Sequence, residues 1–71
     1  MNYHQYKNNL RTIRVSRGLT QRQVASLLGL QCESRLSQWE NGTAVPSIFN
    51  LLQLARIYQV PCEEIYSIVL P

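Results

Sequence analysis

The chain has no apolar run approaching the roughly 20 residues that a bilayer-spanning helix needs. Its opening stretch, MNYHQYKNN, lacks an apolar core, so a secretory leader is not expected and a cytoplasmic location is. It holds one histidine and two cysteines, Cys32 and Cys62, with no closely spaced ligand pair. A structural zinc needs four such ligands, so no metal is expected, nor any other cofactor. Without an export signal a disulfide is not expected either. Catalytic groupings are equally scarce. His4 stands alone near the start, and no Ser/His/Asp or Cys/His set has workable geometry. Glu63 and Glu64 are adjacent, so on a helix they point about 100° apart and do not form a carboxylate pair. Neither an enzyme nor a membrane protein is expected, and no small-molecule ligand is evident.

What is present describes one small globular domain, residues 1–71 with a core from about 6 to 69. Of its 71 residues, 45% are hydrophobic and 15% charged, which a disordered tail would not show. The net charge of +3 is modest, but its distribution is uneven. Six of the seven basic residues (Lys7, Arg11, Arg14, Arg17, Arg22, Arg35) fall in the first half, against Glu33 alone. The second half carries Arg56 against Glu40, Glu63 and Glu64. That asymmetry suits a molecule with one face turned to a polyanion.

Gly18, Gly29, Gly42, Pro46 and Pro61 leave five segments long enough for a short helix, with Thr43–Val45 a short link between two of them. The first runs from about Gln5 to Arg17, with Tyr6, Leu10 and Ile13 at helical spacing. Thr20 is a good N-cap for the second, and Gln23 completes a capping box. Val24, Leu27 and Leu28 mark its inner face, and Gly29 closes it. A third helix spans about Glu33 to Glu40, with Leu36 and Trp39 inward, and Asn41-Gly42 stops it. Ser47 caps the fourth, which should bury Ile48, Leu51, Leu52, Ala55 and Tyr58. Pro61 opens the fifth, with Ile65, Ile68 and Val69 as its apolar stripe. No strand pattern competes, so the expected fold is all-α, a five-helix bundle.

The second and third segments carry the functional signal. Ala25 permits close approach, Gly29 permits positive φ, and Leu36 with Trp39 packs beneath two helices meeting steeply. The outer side of the third helix is left with a narrow row of polar side chains. Such a row fits the major groove of duplex DNA, where Gln, Arg and Ser pair with base edges.

The stretch LTQRQVASLLGL…SRLSQWENG, followed by PSIFNLLQLARIYQVPCEEIY, resembles the phage-repressor-like helix-turn-helix family of bacterial and phage regulators. The resemblance covers about residues 9–68. It implies sequence-specific binding of double-stranded DNA, as a transcriptional regulator of repressor type, with the third helix in the major groove. One departure stands out: Gly29 to Trp39 is one step longer than the family's usual spacing. The extra residue either lengthens the turn at Leu30-Gln31-Cys32 or extends the third helix.

Counted back from Trp39, the family's base-reading positions fall on Glu33, Ser34 and Gln38. Glu33 either accepts from a cytosine amino group or serves as a favourable charge at the helix start. Arg35 reaches guanine, reaches phosphate, or lies back on the scaffold. Gln21 is the best match for a phosphate contact, with its neighbour Thr20 beside it. The backbone N–H groups of Asn41, Gly42 and Thr43 are expected to donate to phosphate as well, with Arg17 and Arg22 adding charge nearby. By the same resemblance Arg14 faces Glu40 in an ion pair with a structural role.

One such module buries only about 600–1,000 Å² on DNA, so a homodimer on paired half-sites about 34 Å apart is expected. Its interface is placed on the last helix, at Ile65, Ile68, Val69 and Leu70. The alternative is a protein-interaction or antitoxin-type module that keeps this fold with little or no DNA binding. Tyr3, Tyr6 or Tyr66 would equally serve a partner or a homodimer.

Overall fold

Asn8 and Asn9 decide where the first helix starts. In the computed structural model, which describes residues 6–68, the Asn8 Oδ1 accepts from the Leu10 N–H at 3.1 Å. The Asn8 side-chain amide donates to the Trp39 carbonyl at 2.8 Å. Asn9 donates through its backbone to Ile65 and through its side chain to Glu64, each at 2.9 Å. Short amide side chains compete for backbone groups in this way, which favours helix boundaries over helix interiors. The first helix therefore begins at Leu10, not near Gln5, which lies outside the described residues.

The elements in order are β1 (Tyr6–Asn8), α1 (Leu10–Ser16), α2 (Gln21–Leu27), α3 (Ser34–Asn41), α4 (Ile48–Tyr58), α5 (Cys62–Ile65) and β2 (Tyr66–Ile68). Five helices stand as expected, but all-α is an approximation. β1 and β2 pair antiparallel, with Tyr6 opposite Ile68, Lys7 opposite Ser67 and Asn8 opposite Tyr66. Tyr6, expected on the inner face of the first helix, instead sets its ring edge-on to Tyr66 at 5.8 Å. At the other end the chain turns extended at Tyr66 (φ −122°, ψ 105°), so Ile68 is a strand residue and not part of a helical stripe. Aromatic and β-branched residues suit a pleated surface, and β1 offers them a backbone partner. Val69 and Leu70 lie outside the described residues.

Local capping follows the sequence closely. Thr20 and Gln23 form the reciprocal box at the start of α2, at 2.8 and 3.1 Å. Ser47 accepts from the Asn50 N–H at the start of α4. Gly29 holds φ at 76° where the chain leaves α2, a conformation that costs a residue with a Cβ about 1–2 kcal/mol. The connection to α3 runs through Leu28–Glu33, and α3 itself starts at Ser34. α3 thus keeps eight residues, 34–41, after a connection of six.

Leu10, Val24, Leu36, Trp39, Leu54, Tyr58 and Ile65 form the core, with Ile13, Leu28, Leu51 and Ala55 packed around it. Each fully buried side chain of this size contributes about 1.5–3 kcal/mol. Three expected core positions are exposed instead: Leu27, Ile48 and Leu52. In α4 the inward set is Leu51, Leu54, Ala55 and Tyr58, a spacing of three, four and seven that rotates Ile48 and Leu52 outward. Conversely, Ile65 is fully buried, so it belongs to the core and is not available to a partner.

Candidate nucleic-acid interface

α3 lies against α2 because Ala25, Leu36 and Trp39 are all buried where the two meet. Burying one side of α3 leaves Ser34, Arg35, Gln38 and Asn41 exposed on the other. Ser34 and Gln38 are one turn apart on a single row, and Arg35 stands about 100° round from Ser34. Ser37, half-buried, completes the row and takes a 3.5 Å contact from the Asn41 amide. The sequence reading singled out Ser34 and Gln38 but not Ser37, whose place one turn after Ser34 is legible in the spacing. An open groove between α2 and α3 brings Gln21, Arg22 and Ser26 together with Glu33, Ser34 and Ser37. Gln38, Asn41 and Thr43 lie beyond its lining.

Glu33 occupies the N-cap position of α3 and makes no side-chain capping bond. The Ser34 hydroxyl is 3.0 Å from the Cys32 sulfur. That bond, with a further one to the Ser34 backbone, holds the exposed Cys32 thiol below the ordinary thiol range. Gln38 engages no side-chain hydrogen bond among the described residues, so its amide is open on both edges.

The charges behind this face are neutralised within the scaffold. Arg14 closes on Glu40 with bonds of 2.7 and 3.2 Å, as expected, and also donates to the Leu19 carbonyl at 2.9 Å. Burial disfavours the Glu40 carboxylate, but hydrogen bonds from Arg14 and Gln21 outweigh it and hold its carboxyl below the usual range. The hydrogen bond that Arg14 donates to Glu40 in turn raises its guanidinium above the ordinary value. Arg11, a partner the sequence did not reveal, approaches the same carboxylate at 3.5 Å from the surface.

Several expected phosphate contacts have other duties. Gln21 donates to Glu40 at 3.0 Å, and its second amide hydrogen has no partner among the described residues. Arg17 donates through Nε to the Tyr58 carbonyl at 2.7 Å, tying the end of α1 to the end of α4. The Gly42 N–H goes to Trp39 and the Thr43 N–H to Gln38, so both amides close α3 and neither is free for a phosphate. The Thr43 hydroxyl also donates to the Gln38 carbonyl. Orphan carbonyls at a helix end must find donors, and a left-handed glycine supplies them here. Arg22 and Arg35 are exposed and make no ion pair among the described residues.

A family model described as helix-turn-helix matches residues 10–65, which contain all five helices. The chain belongs to the phage-repressor-like helix-turn-helix family. Within that family it is 34% identical over 62 residues to the cryptic phage CTXphi transcriptional repressor RstR of Vibrio cholerae. That match covers 87% of this chain and 55% of the repressor. In structure it resembles a transcriptional regulator from Listeria innocua, with a TM-score of 0.76 and 27% identity over 89% of this chain and 58% of that one. The chain thus spans a little over half the length of either relative. The helix-turn-helix family is not an enzyme family. Among the described residues no group of His, Cys, Asp or Glu side chains gathers where a metal ion could sit, and no helix is long and apolar enough to cross a membrane.

Proposed function

We propose that the chain binds duplex DNA sequence-specifically, as a transcriptional regulator of repressor type, with α3 in the major groove. The observation that carries this reading is the exposed row Ser34–Gln38 on a helix whose other side is locked to α2 and to the core. A rigid helix with a free amide and hydroxyls on one side is what direct reading of base edges requires. Gln38 pairs with adenine through both edges of its amide, and Ser34 adds a permissive contact. Arg35 and Arg22 flank the row and supply positive charge, while the internal pairing of Glu40 keeps that carboxylate away from phosphate. Gln21 and the Thr20 hydroxyl reach the backbone from the start of α2. The similarity to a phage repressor and to a solved regulator supports the same reading. Two copies act together on a site of two half-sites.

Selection of bound sequences from a random duplex pool tests the proposal. A reproducible paired motif, bound with an affinity that falls steeply as salt rises, is the expected outcome. Absence of enrichment, with weak salt-sensitive binding to any duplex, would falsify it and leave a protein-interaction module as the better account.

A further inference from the structure

The start of α3 is capped from one residue further back than usual. Glu33 holds the N-cap place, but its backbone is already helical (φ −88°, ψ −1°) and its side chain makes no capping bond. Cys32 does the capping instead. Its sulfur stands 3.0 Å from the Ser34 hydroxyl oxygen and has a second bond with the Ser34 backbone. Both bonds hold the thiol below its ordinary range, which is what donors directed at sulfur do. The sulfur therefore accepts both, in keeping with the weak donating power of S–H beside O–H.

The direction of that bond decides what Ser34 can read. A hydroxyl carries one proton and two lone pairs. Free to rotate, it satisfies either kind of base edge, which makes serine tolerant at a DNA face. With the proton turned to Cys32, only lone pairs remain for a partner outside. Cys32 and Ser34 are both exposed, and both line the open groove between α2 and α3.

We propose that Cys32 is a positioning residue for DNA reading, holding Ser34 as an acceptor so that it selects the amino group of adenine or cytosine. The proposal rests on the DNA-binding reading above. In the major groove adenine N6 and cytosine N4 donate, whereas guanine N7 and O6 and thymine O4 accept. A guanine or thymine at that place meets lone pair against lone pair unless the Ser34 proton leaves the sulfur. Cys32 thus turns a tolerant side chain into a selective one without touching the base. Charge does not set the arrangement. Glu33 and Arg35 act on the thiol in opposite directions, each less than the hydrogen bonds do, and Arg22 lines the groove from α2.

The test takes the base pair at which Ser34→Ala loses preference and measures affinity for the selected site and its single-base variants. The wild-type protein should prefer an amino-bearing base there by about three- to tenfold, the worth of one neutral hydrogen bond. Cys32→Ala should relax that preference to within about twofold, leaving the tolerant serine. Cys32→Ser, whose hydroxyl oxygen accepts the same bonds, should retain it. With Ser34 already alanine, adding Cys32→Ala should change nothing further at that position, because the cysteine acts through the serine. Three results each overturn the proposal: unchanged preference in Cys32→Ala, equal loss in Cys32→Ser, or a Cys32 effect that persists without Ser34. A Ser34→Ala variant that loses preference nowhere does the same.

A second readout needs no DNA. Alkylation of Cys32 by iodoacetamide in the free protein, followed across pH on its own peptide, reports the titration of the thiol. Ser34→Ala should move that titration upward. An unmoved titration means that the bond is absent and overturns the proposal. An upward shift together with no selected motif retains the Cys32–Ser34 bond and overturns the DNA reading, and the proposal with it.

Discussion

Arg14 and Glu40 are joined by two hydrogen bonds across twenty-six positions of sequence, linking α1 to the last turn of α3. The Glu40 side chain is fully buried and that of Arg14 nearly so. The helix that carries the exposed polar row is thereby fixed from behind by a charge that would otherwise be stranded in the interior. Gln21 reaches the same carboxylate from α2, so three helices converge on one pair of oxygens.

Removing Arg14 should therefore weaken the fold more than it alters sequence preference. A buried pair stripped of one partner costs about 3–5 kcal/mol, and the bonds from Gln21 and Arg11 place Arg14→Ala near the lower figure. Urea unfolding should show that loss. The bound motif, selected at a temperature where the variant is still folded, should be unchanged. A changed motif with undiminished stability would place Arg14 at the DNA instead.

Acid should act through the same carboxylate. The Glu40 carboxyl lies below its ordinary value in the folded chain, so folding is favoured when it is ionised. The stability it contributes is complete above the unfolded value of about 4.3 and is lost as pH falls through the lower, folded one. Glu40→Gln should be less stable at neutral pH and should show a shallower acid loss than the wild-type protein. Parallel acid profiles for the two would remove Glu40 from this role.

Tyr58 invites the opposite substitution. Its ring is fully buried in the core and its hydroxyl has no hydrogen-bond partner among the described residues. A buried polar group without a partner costs about 1–3 kcal/mol, so Tyr58→Phe should stabilise the fold by about 1 kcal/mol. Burial also pushes the phenol up to about 12. Since the folded value is the higher one, stability should fall from about pH 10 toward pH 12 in the wild-type protein, and this part of the decline should be missing in the variant. Equal or lower stability of the variant at pH 7 would mean that the hydroxyl has a bonding partner in solution.

These residues also show what the sequence could and could not convey. The Thr20–Gln23 box, the stop at Gly42 and the inward pair Leu36 and Trp39 depend on neighbours within a turn, and local spacing reveals them. The strand pair joins Tyr6 to Ile68, and its cause lies in Asn8 and Asn9 bonding to Trp39, Glu64 and Ile65, contacts that no local pattern encodes. α4 misled for a different reason. Its sequence IFNLLQLARIY is apolar nearly all round, so periodicity offers two phases and only packing against Leu10 and Trp39 chooses between them. In the site, the polar row of α3 was legible, because one helix presents it. Gly42 and Thr43 were assigned to phosphate because the Asn-Gly stop marked the loop but not the fate of its amides.

The exposed row and the flanking charges should separate cleanly in mutants. On the proposed function Gln38→Ala removes a contact to one base pair, expected to be worth about 1–3 kcal/mol at that position. Preference there should relax while binding to unrelated duplexes stays the same. Arg22→Ala removes charge without removing a base contact. It should weaken binding to all sequences about equally and reduce the dependence of log affinity on log salt by about one. Titrating both variants against the selected site and a single-base variant of it, at two salt concentrations, measures the two effects together. If Gln38→Ala lowers affinity uniformly and Arg22→Ala shifts the preferred base, then α3 does not present Gln38 to the bases, and α2 lies deeper in the groove than its partner.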